Sequence, residues 1–223
     1  MAGKIAIIGA LQEEVAPYIE RLEGAMESDI AKLRVYEGSF HGIPVLVTAC
    51  GMGKVNAAIA AQLLISIYGA QEIWVSGCAG SLDSGLNNGN ICIAETVVYH
   101  DLDGSIISDY HPHHRDAVFY ADPRLLDRAR RVMGTRASYG LIATGDVFVA
   151  GDGRQPIIDC FGAICVDMET AAIAHVCYVN EIPFLAVRGI SDGAESDGWS
   201  TFEQNLEHVA RLTAGAVTEI LTA

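Results

Sequence analysis

Three carboxylates stand just past strand-like apolar runs: Glu14 after KIAIIG, Glu169 after AICV and Asp192 after FLAV. Open α/β sheets bind ligands beyond the carboxyl ends of their strands, so a parallel arrangement would gather the three at one edge. Buried carboxylates gathered in a cleft exchange protons or hold polar ligands. Each also has a plainer explanation. The helix macrodipole favours acidic residues in any first turn, which would account for Glu13 and Glu14, or for Glu169, taken singly. Asp192 resists that account, because the GAESDGWST that follows it is too rich in Gly, Ser and Asp to open a helix at once. Its remaining structural alternative is an ion pair with Arg188, where the run PFLAVRGISD turns from apolar to charged.

Two glycine-rich segments add a second signal. CGMGKVNAA and SGCAGSL each follow a strand-like run, and both read as turns where small residues and free backbone N–H groups admit a ligand. Neither is a nucleotide fingerprint. A P-loop would need glycine where Thr48 stands and Ser or Thr where Val55 stands, and SGCAGSL lacks the GxGxxG order. GDVFVAGDG places Phe148 between flexible ends, either as a stacking face for a flat ring or as a plug for the core. HPHH at His111 to His114, between Asp109 and Asp116, has metal-ligand residue types but reads more simply as a solvated loop. Trp199 and Phe202 read as core or as a lid.

These residues need a scaffold. Strand-like runs fall at Ile5 to Ile8, Leu33 to Phe40, Val45 to Ala49, Ile73 to Val75, Ile91 to Tyr99, Gly140 to Ala143, Ala163 to Val166 and Phe184 to Val187. Helical periodicity covers Glu13 to Glu23, Val55 to Tyr68, Pro123 to Val132, Thr170 to Val179 and Phe202 to Leu221. The alternation predicts an α/β fold whose mixed, mostly parallel central sheet is flanked by helices. LRVYEGSF and PVLVTA are separated only by HGI, which predicts an antiparallel hairpin. The polar stretch 101–122 is expected to be a long loop.

At 223 residues, 51% hydrophobic and 19% charged, the chain 1–223 is expected to form a single domain with a large core. A formal net charge of -14 repels phosphodiester backbones and anionic lipid, so nucleic acid and membrane surfaces are not expected partners. No apolar run reaches the roughly 20 residues needed to cross a bilayer. The amino terminus reads as a first strand rather than a leader. Six cysteines without CxxC pairing lie mostly in apolar runs, where reduced thiols act as small hydrophobes; a cytoplasmic setting is expected.

Taken in order, GALQEEV, CGMGKVNAA, SGCAGSL, GDVFV, VDMETAAIAHV and VRGISD resemble the 5'-methylthioadenosine/S-adenosylhomocysteine nucleosidases of the purine nucleoside phosphorylase superfamily, over nearly the whole chain. The resemblance implies hydrolysis of an N-glycosidic bond in an adenine nucleoside, with no metal and no organic cofactor. It implies that Asp192 protonates adenine N7, that Glu14 positions and activates water with Arg188 nearby, and that Glu169 grips the ribose hydroxyls. Met168 would pack on the sugar, Phe148 would stack on adenine, Val149 would offer backbone hydrogen bonds and Ser191 would orient Asp192. Met52, Cys78, Ala79, Gly80 and Phe202 would complete the substrate pocket. A homodimer is expected from the resemblance and from the long apolar helix at Val55 to Tyr68.

Two positions depart from the family pattern: Cys78 stands where serine is usual and Asp167 where glutamate is frequent. The stretch after HDLDG also differs, which leaves the 5' substituent open. Alternatives are a related purine nucleoside hydrolase of the aminofutalosine type, a phosphorylase, or a nucleoside-binding protein without turnover. Acid in GALQEE, where phosphorylases usually carry a basic phosphate site, favours water over phosphate.

Overall fold

The computed structural model describes residues 3–111, 114–193 and 198–223. In chain order the first half holds β1 (Lys4–Gly9), α1 (Gln12–Ile19), β2 (Glu23–Ile30), β3 (Leu33–Phe40), β4 (Ile43–Ala49), α2 (Lys54–Ser66), β5 (Ala70–Ser81) and β6 (Ile91–Tyr99). The second half holds α3 (Gly104–Asp109), β7 (Phe119–Tyr120), α4 (Pro123–Met133), β8 (Ala137–Thr144), α5 (Gln155–Phe161), β9 (Cys165–Asp167), α6 (Thr170–Val179), β10 (Phe184–Asp192) and α7 (Gly198–Thr222). All strands join one mixed sheet ordered β10-β6-β8-β9-β5-β1-β4-β3-β2, with β7 on β6. A further β10–β5 pairing closes β10, β6, β8, β9 and β5 into a ring.

The centre of the sheet is parallel: β1 lies between β4 and β5, and β10 runs beside β5. β5 continues past β1 to meet β9 in antiparallel register, Gly80 against Val166. That overlap sets Cys165, the first residue of β9, beside Ser81, the last residue of β5. The expected hairpin is present, with Phe40 opposite Ile43 and a two-residue turn in which His41 and Gly42 both have positive φ. Such a turn matches the right-handed twist of its strands.

Helices cover both faces with apolar stripes of different width. α7 buries Val209, Ala210, Thr213, Ala214, Val217, Ile220 and Leu221 at three- and four-residue spacing, each large aliphatic contributing about 1.5–3 kcal/mol. α2 buries Ala57, Ala60, Ala61 and Leu64 while Val55 and Ile59 face outward, and Ile67 just past its end is also exposed.

Several expectations need correction. The helix expected over Glu13 to Glu23 stops at Ile19, because Glu23 opens β2, whose residues are exposed almost throughout and are held by backbone pairing to β3. The stretch 101–122 is more than a loop: it contains α3, capped by Asp103 accepting from the Ser105 N–H, and β7. SGCAGS is strand, the end of β5, rather than a turn. Likewise Arg188 lies inside β10, which stays buried through Asp192, with an irregularity in its register on β5 between Ile190 and Asp192.

Candidate active site

The three carboxylates converge. Glu14, Glu169 and Asp192 line one cleft at the carboxyl edge of the parallel strands, together with Met52, Cys78, Ala79, Gly80, Phe148, Val149, Met168, Ser191 and Phe202. Every residue expected to contact substrate therefore borders one space, and of the expected site residues Arg188 alone does not.

Glu14 sits at the third position of α1, and its Oε2 turns back to accept from the N–H of Ala10 at 2.6 Å and of Leu11 at 3.1 Å. Its first-turn, helix-macrodipole explanation is thus partly correct. The other oxygen reaches across to accept from the Cys78 N–H at 2.7 Å, and the residue is only 3% exposed. A carboxylate used only as a cap would face solvent; this one is fixed by three backbone donors at the wall of a cleft.

Glu169 precedes α6 without capping it. Its Oε1 instead accepts from the N–H of Gly53, which adopts φ 95° at the start of α2, and its Oε2 accepts from Arg188 Nη2 at 3.3 Å. The free N–H expected of the CGMGK turn is therefore taken by a protein carboxylate. Asp167 does the capping: it accepts from the N–H of Glu169 and Thr170, from the Thr144 hydroxyl at 2.6 Å and from the Thr170 hydroxyl. Burial pushes Glu169 up to about 7; Arg188 pulls it down, while Asp167 and Glu14 push it further up.

Arg188 lies behind this wall, 1% exposed. Its Nε is 2.9 Å from Asp167 and its guanidinium also donates to Thr170 Oγ1 and to the Cys78 carbonyl. Burial works against its charge, yet Asp167, Glu169 and Glu14 outweigh that and raise its pKa. The possible Arg188–Asp192 ion pair is replaced by different pairings: Arg188 serves Asp167 and Glu169, and Asp192 is held by Arg154 Nη2 at 2.5 Å. The Ser191 hydroxyl donates to the other Asp192 oxygen at 2.8 Å.

The glycines of β5 explain how so many charges fit. A Cβ at Gly77 would stand 2.5 Å from Glu14 Oε1 and 2.7 Å from Arg188 Nη1, and one at Gly80 would stand 3.0 Å from Asp192 Oδ2. Real Cβ atoms essentially never come as close as the Gly77 distances, and the Gly80 distance is tighter than nearly all observed, so SGCAG is a sequence for packing charges against a strand. Between these glycines, Cys78 is buried, and burial followed by the Glu14 charge pushes its thiol well up, so it remains a neutral S–H.

Three aromatic rings close the outer side. Phe148 stands edge-on to Trp199 at 5.0 Å and to Phe202 at 6.1 Å, with Trp199 and Phe202 5.7 Å apart. Trp199, ambiguous in the sequence, is a cleft residue. Of the HPHH tract, Pro112 and His113 lie outside the described residues; His114 is buried against Tyr178 at 4.2 Å and Phe119 at 4.9 Å. Arg154, paired with Asp192, is the neighbour of the cleft that sequence reasoning missed. Its only sequence signal is a lone arginine after GDG, with no periodicity or spacing tying it to Asp192.

Among the described residues, the ionisable side chains lining the cleft are Glu14, Cys78, Asp167, Glu169 and Asp192, with no Lys or Arg among them. Such a space favours a neutral ligand that develops positive charge and disfavours an anion.

Comparison with known proteins agrees with the geometry. Residues 4–222 match the family model described as the phosphorylase superfamily. The chain is 34% identical over 225 residues, 98% of its own length and 99% of the relative's, to a 5'-methylthioadenosine/S-adenosylhomocysteine nucleosidase of Staphylococcus aureus (strain JH9). It superposes with TM-score 0.92 and 32% identity on an S-adenosylhomocysteine nucleosidase from Streptococcus pyogenes solved with 5-methylthiotubericidin, covering 99% of this chain and 96% of that one. A futalosine hydrolase of Helicobacter pylori strain 26695 matches at TM-score 0.91 and 28% identity, covering 100% and 98%.

Proposed function

We propose a function from the premise that this chain belongs to the phosphorylase superfamily and, within it, to the 5'-methylthioadenosine/S-adenosylhomocysteine nucleosidases. It hydrolyses the N-glycosidic bond of 5'-methylthioadenosine and S-adenosylhomocysteine, releasing adenine and the 5'-thio-ribose. The observation that carries the reading is the convergence of Glu14, Glu169 and Asp192 on one cleft whose described lining includes no cationic side chain. Phosphorolysis needs a site for a multiply charged anion, and four carboxylates repel one; water carries no such penalty.

In this reading Asp192 donates a proton to adenine N7 as the glycosidic bond breaks, so the bonding pair leaves on a neutral base. General acid assistance of this kind contributes a factor of ~10²–10⁴. Glu14 positions the attacking water and takes its proton as the new C–O bond forms. Glu169 accepts hydrogen bonds from the ribose hydroxyls and, with Glu14, stabilises the positive charge that develops on the sugar. Met168 packs on the sugar and Phe148 stacks on the base, with the Val149 backbone at its edge. Arg188 reaches the water only through Glu14 and Glu169, since its guanidinium is behind the cleft wall.

The working assembly is a homodimer. Supporting it are the exposed apolar side chains Val55, Ile59, Ile67, Tyr178 and Val179 on the packed pair α2 and α6, a larger outward apolar group than isolated surface residues make. A monomeric mass in sedimentation at assay concentration would remove that proposal. Six unpaired cysteines, five of them buried, support a reducing, cytoplasmic setting. Among the described residues no helix is long and apolar enough to cross a membrane.

The test is release of free base from methylthioadenosine, S-adenosylhomocysteine, deoxyadenosine, inosine and aminofutalosine, with and without phosphate. Phosphate-independent adenine release from the first two is expected. Strict phosphate dependence, or release from inosine alone, would overturn the assignment.

A further inference from the structure

Arg154 is 2% exposed, lies on the short 3-10 turn Gly151–Arg154 ahead of α5, and has no lining surface in the cleft. One terminal nitrogen, Nη1, donates to the Ser81 carbonyl at 2.7 Å and the other, Nη2, to Asp192 Oδ2 at 2.5 Å, while its Nε has no hydrogen-bond partner. Burying a guanidinium with an unfilled donor is costly. A packing role would be served more cheaply by an apolar side chain, so the charge itself calls for an explanation.

We infer that Arg154 is a positioning residue for the proton donor: it holds Asp192 as a carboxylate in the unliganded protein and stabilises the carboxylate re-formed after the proton has passed to the purine. The inference rests on the assignment of Asp192 as the general acid. A charge-assisted bond of this length selects the ionised form of its acceptor. Asp192 therefore takes up one proton from solvent as substrate binds, passes it to N7 as the C–N bonding pair leaves with the base, and is a carboxylate again. The proton that Glu14 removes from the attacking water returns to solvent, so no proton is gained or lost overall.

Among the described residues, the neighbours of Asp192 include the Ser191 hydroxyl on its own strand, the neutral Cys78 thiol of β5 and Gly198 at the start of α7. Asn205 of α7 is occupied with the Ser191 carbonyl. Glu14, Asp167 and Glu169 stand on the walls of the same cleft and oppose ionisation of Asp192. Among the described residues Arg154 is the cation paired with it, and Gly80 leaves the room the pair requires.

The experiment is the pH profile of kcat/KM for adenine release from methylthioadenosine, which reports groups of the free enzyme. Turnover needs Asp192 protonated, so activity falls as pH rises through its pKa, and Arg154 sets that limb low. Arg154→Gln should move the limb upward by about 1–3 pH units, and Arg154→Lys should return it toward the parent position. A Gln variant whose activity drops uniformly, with the limb unmoved, would reduce Arg154 to a structural role and overturn the inference. Asp192→Asn separates the two levels: near-parental turnover there would end the general-acid assignment, whereas an inactive Asn variant beside an unshifted Gln profile would end only this one. Should Arg154→Gln fail to fold, carboxyl-13C NMR of the unliganded parent, with Asp192→Asn to identify the signal, still decides. Asp192 ionised at pH 7 is required, and a protonated signal there refutes the inference.

Discussion

Two buried arginines stand behind the same cleft and differ in how completely they are satisfied. Arg188 distributes its guanidinium over Asp167, Glu169, Thr170 and the Cys78 carbonyl. Arg154 has one carboxylate, one carbonyl and an unfilled Nε. A network with many partners resists change, because no single bond can be exchanged without stranding others. A pair with one carboxylate can lose its counter-charge to a proton and regain it. In the proposed mechanism, the first arrangement suits a wall that fixes sugar-binding groups and the second a carboxyl that alternates between states.

The largest effect is expected where that alternation is removed. Asp192→Asn keeps the volume and an acceptor for Arg154 but cannot deliver a proton, so adenine release should fall by ~10²–10⁴ while nucleoside binding persists. Single-turnover kinetics beside equilibrium binding of methylthioadenosine measures both. Loss of binding in step with loss of turnover would show that the pair holds structure rather than chemistry, and the contrast with Arg188 would collapse.

Arg188→Met should act on the fold. It strands Asp167 and Glu169 in a buried site, and breaking such a cluster by removing one partner costs about 3–5 kcal/mol. For a chain of this length that lowers Tm by roughly 10 °C, measurable by calorimetry. A variant with parental Tm and a moved pH limb would transfer to Arg188 the positioning role inferred for Arg154.

The distinction between the arginines also marks what the sequence could carry. Glu14, Glu169 and Asp192 were legible because each follows an apolar run, and strand order converts that local pattern into a shared edge. Arg188 was legible as a site residue, yet its partners were not, since ion pairing depends on which charge the sheet register brings close. Arg154 reaches Asp192 across 38 positions of chain from a 3-10 turn, and no periodicity encodes that. β2 was hidden for a related reason: EGAMESDI is exposed almost throughout, so alternation is absent and backbone pairing to β3 alone makes it a strand. In SGCAGS the glycines argue locally for a turn, whereas their purpose is room for Glu14, Arg188 and Asp192 beside a strand.

A smaller effect tests the wall through proton linkage. Because burial places Glu169 near 7 in the folded chain against an ordinary 4.5, the folded state retains a proton between those pH values that the unfolded state has released. Stability from this group therefore declines as pH rises from about 4.5 to about 7 and is level above, by about 3 kcal/mol in all. Glu169→Gln should lack that decline in Tm against pH. Parallel curves for parent and variant would mean that Arg188 keeps Glu169 ionised throughout.

The smallest effect is expected at Cys78, the position between the two glycines that make room for the arginines. What Glu14 uses most directly there is the backbone N–H at 2.7 Å, which every residue except proline supplies. The side chain is a neutral thiol, 7% exposed, and serine replaces it with a slightly smaller group that still donates a hydrogen bond. Loss of a little apolar contact and gain of a stronger donor nearly offset one another, as for most substitutions that neither open a cavity nor strand a charge; the change should be within about 0.5 kcal/mol. kcat/KM for methylthioadenosine should then stay within about threefold of the parent, since 1.4 kcal/mol corresponds to tenfold. A loss beyond tenfold in Cys78→Ser would show that the thiol tunes Glu14. In that case the wall behind the water would be as adjustable as the Arg154–Asp192 pair, because a neutral neighbour two residues before Gly80 would be setting the behaviour of a carboxylate that three backbone donors otherwise hold fixed.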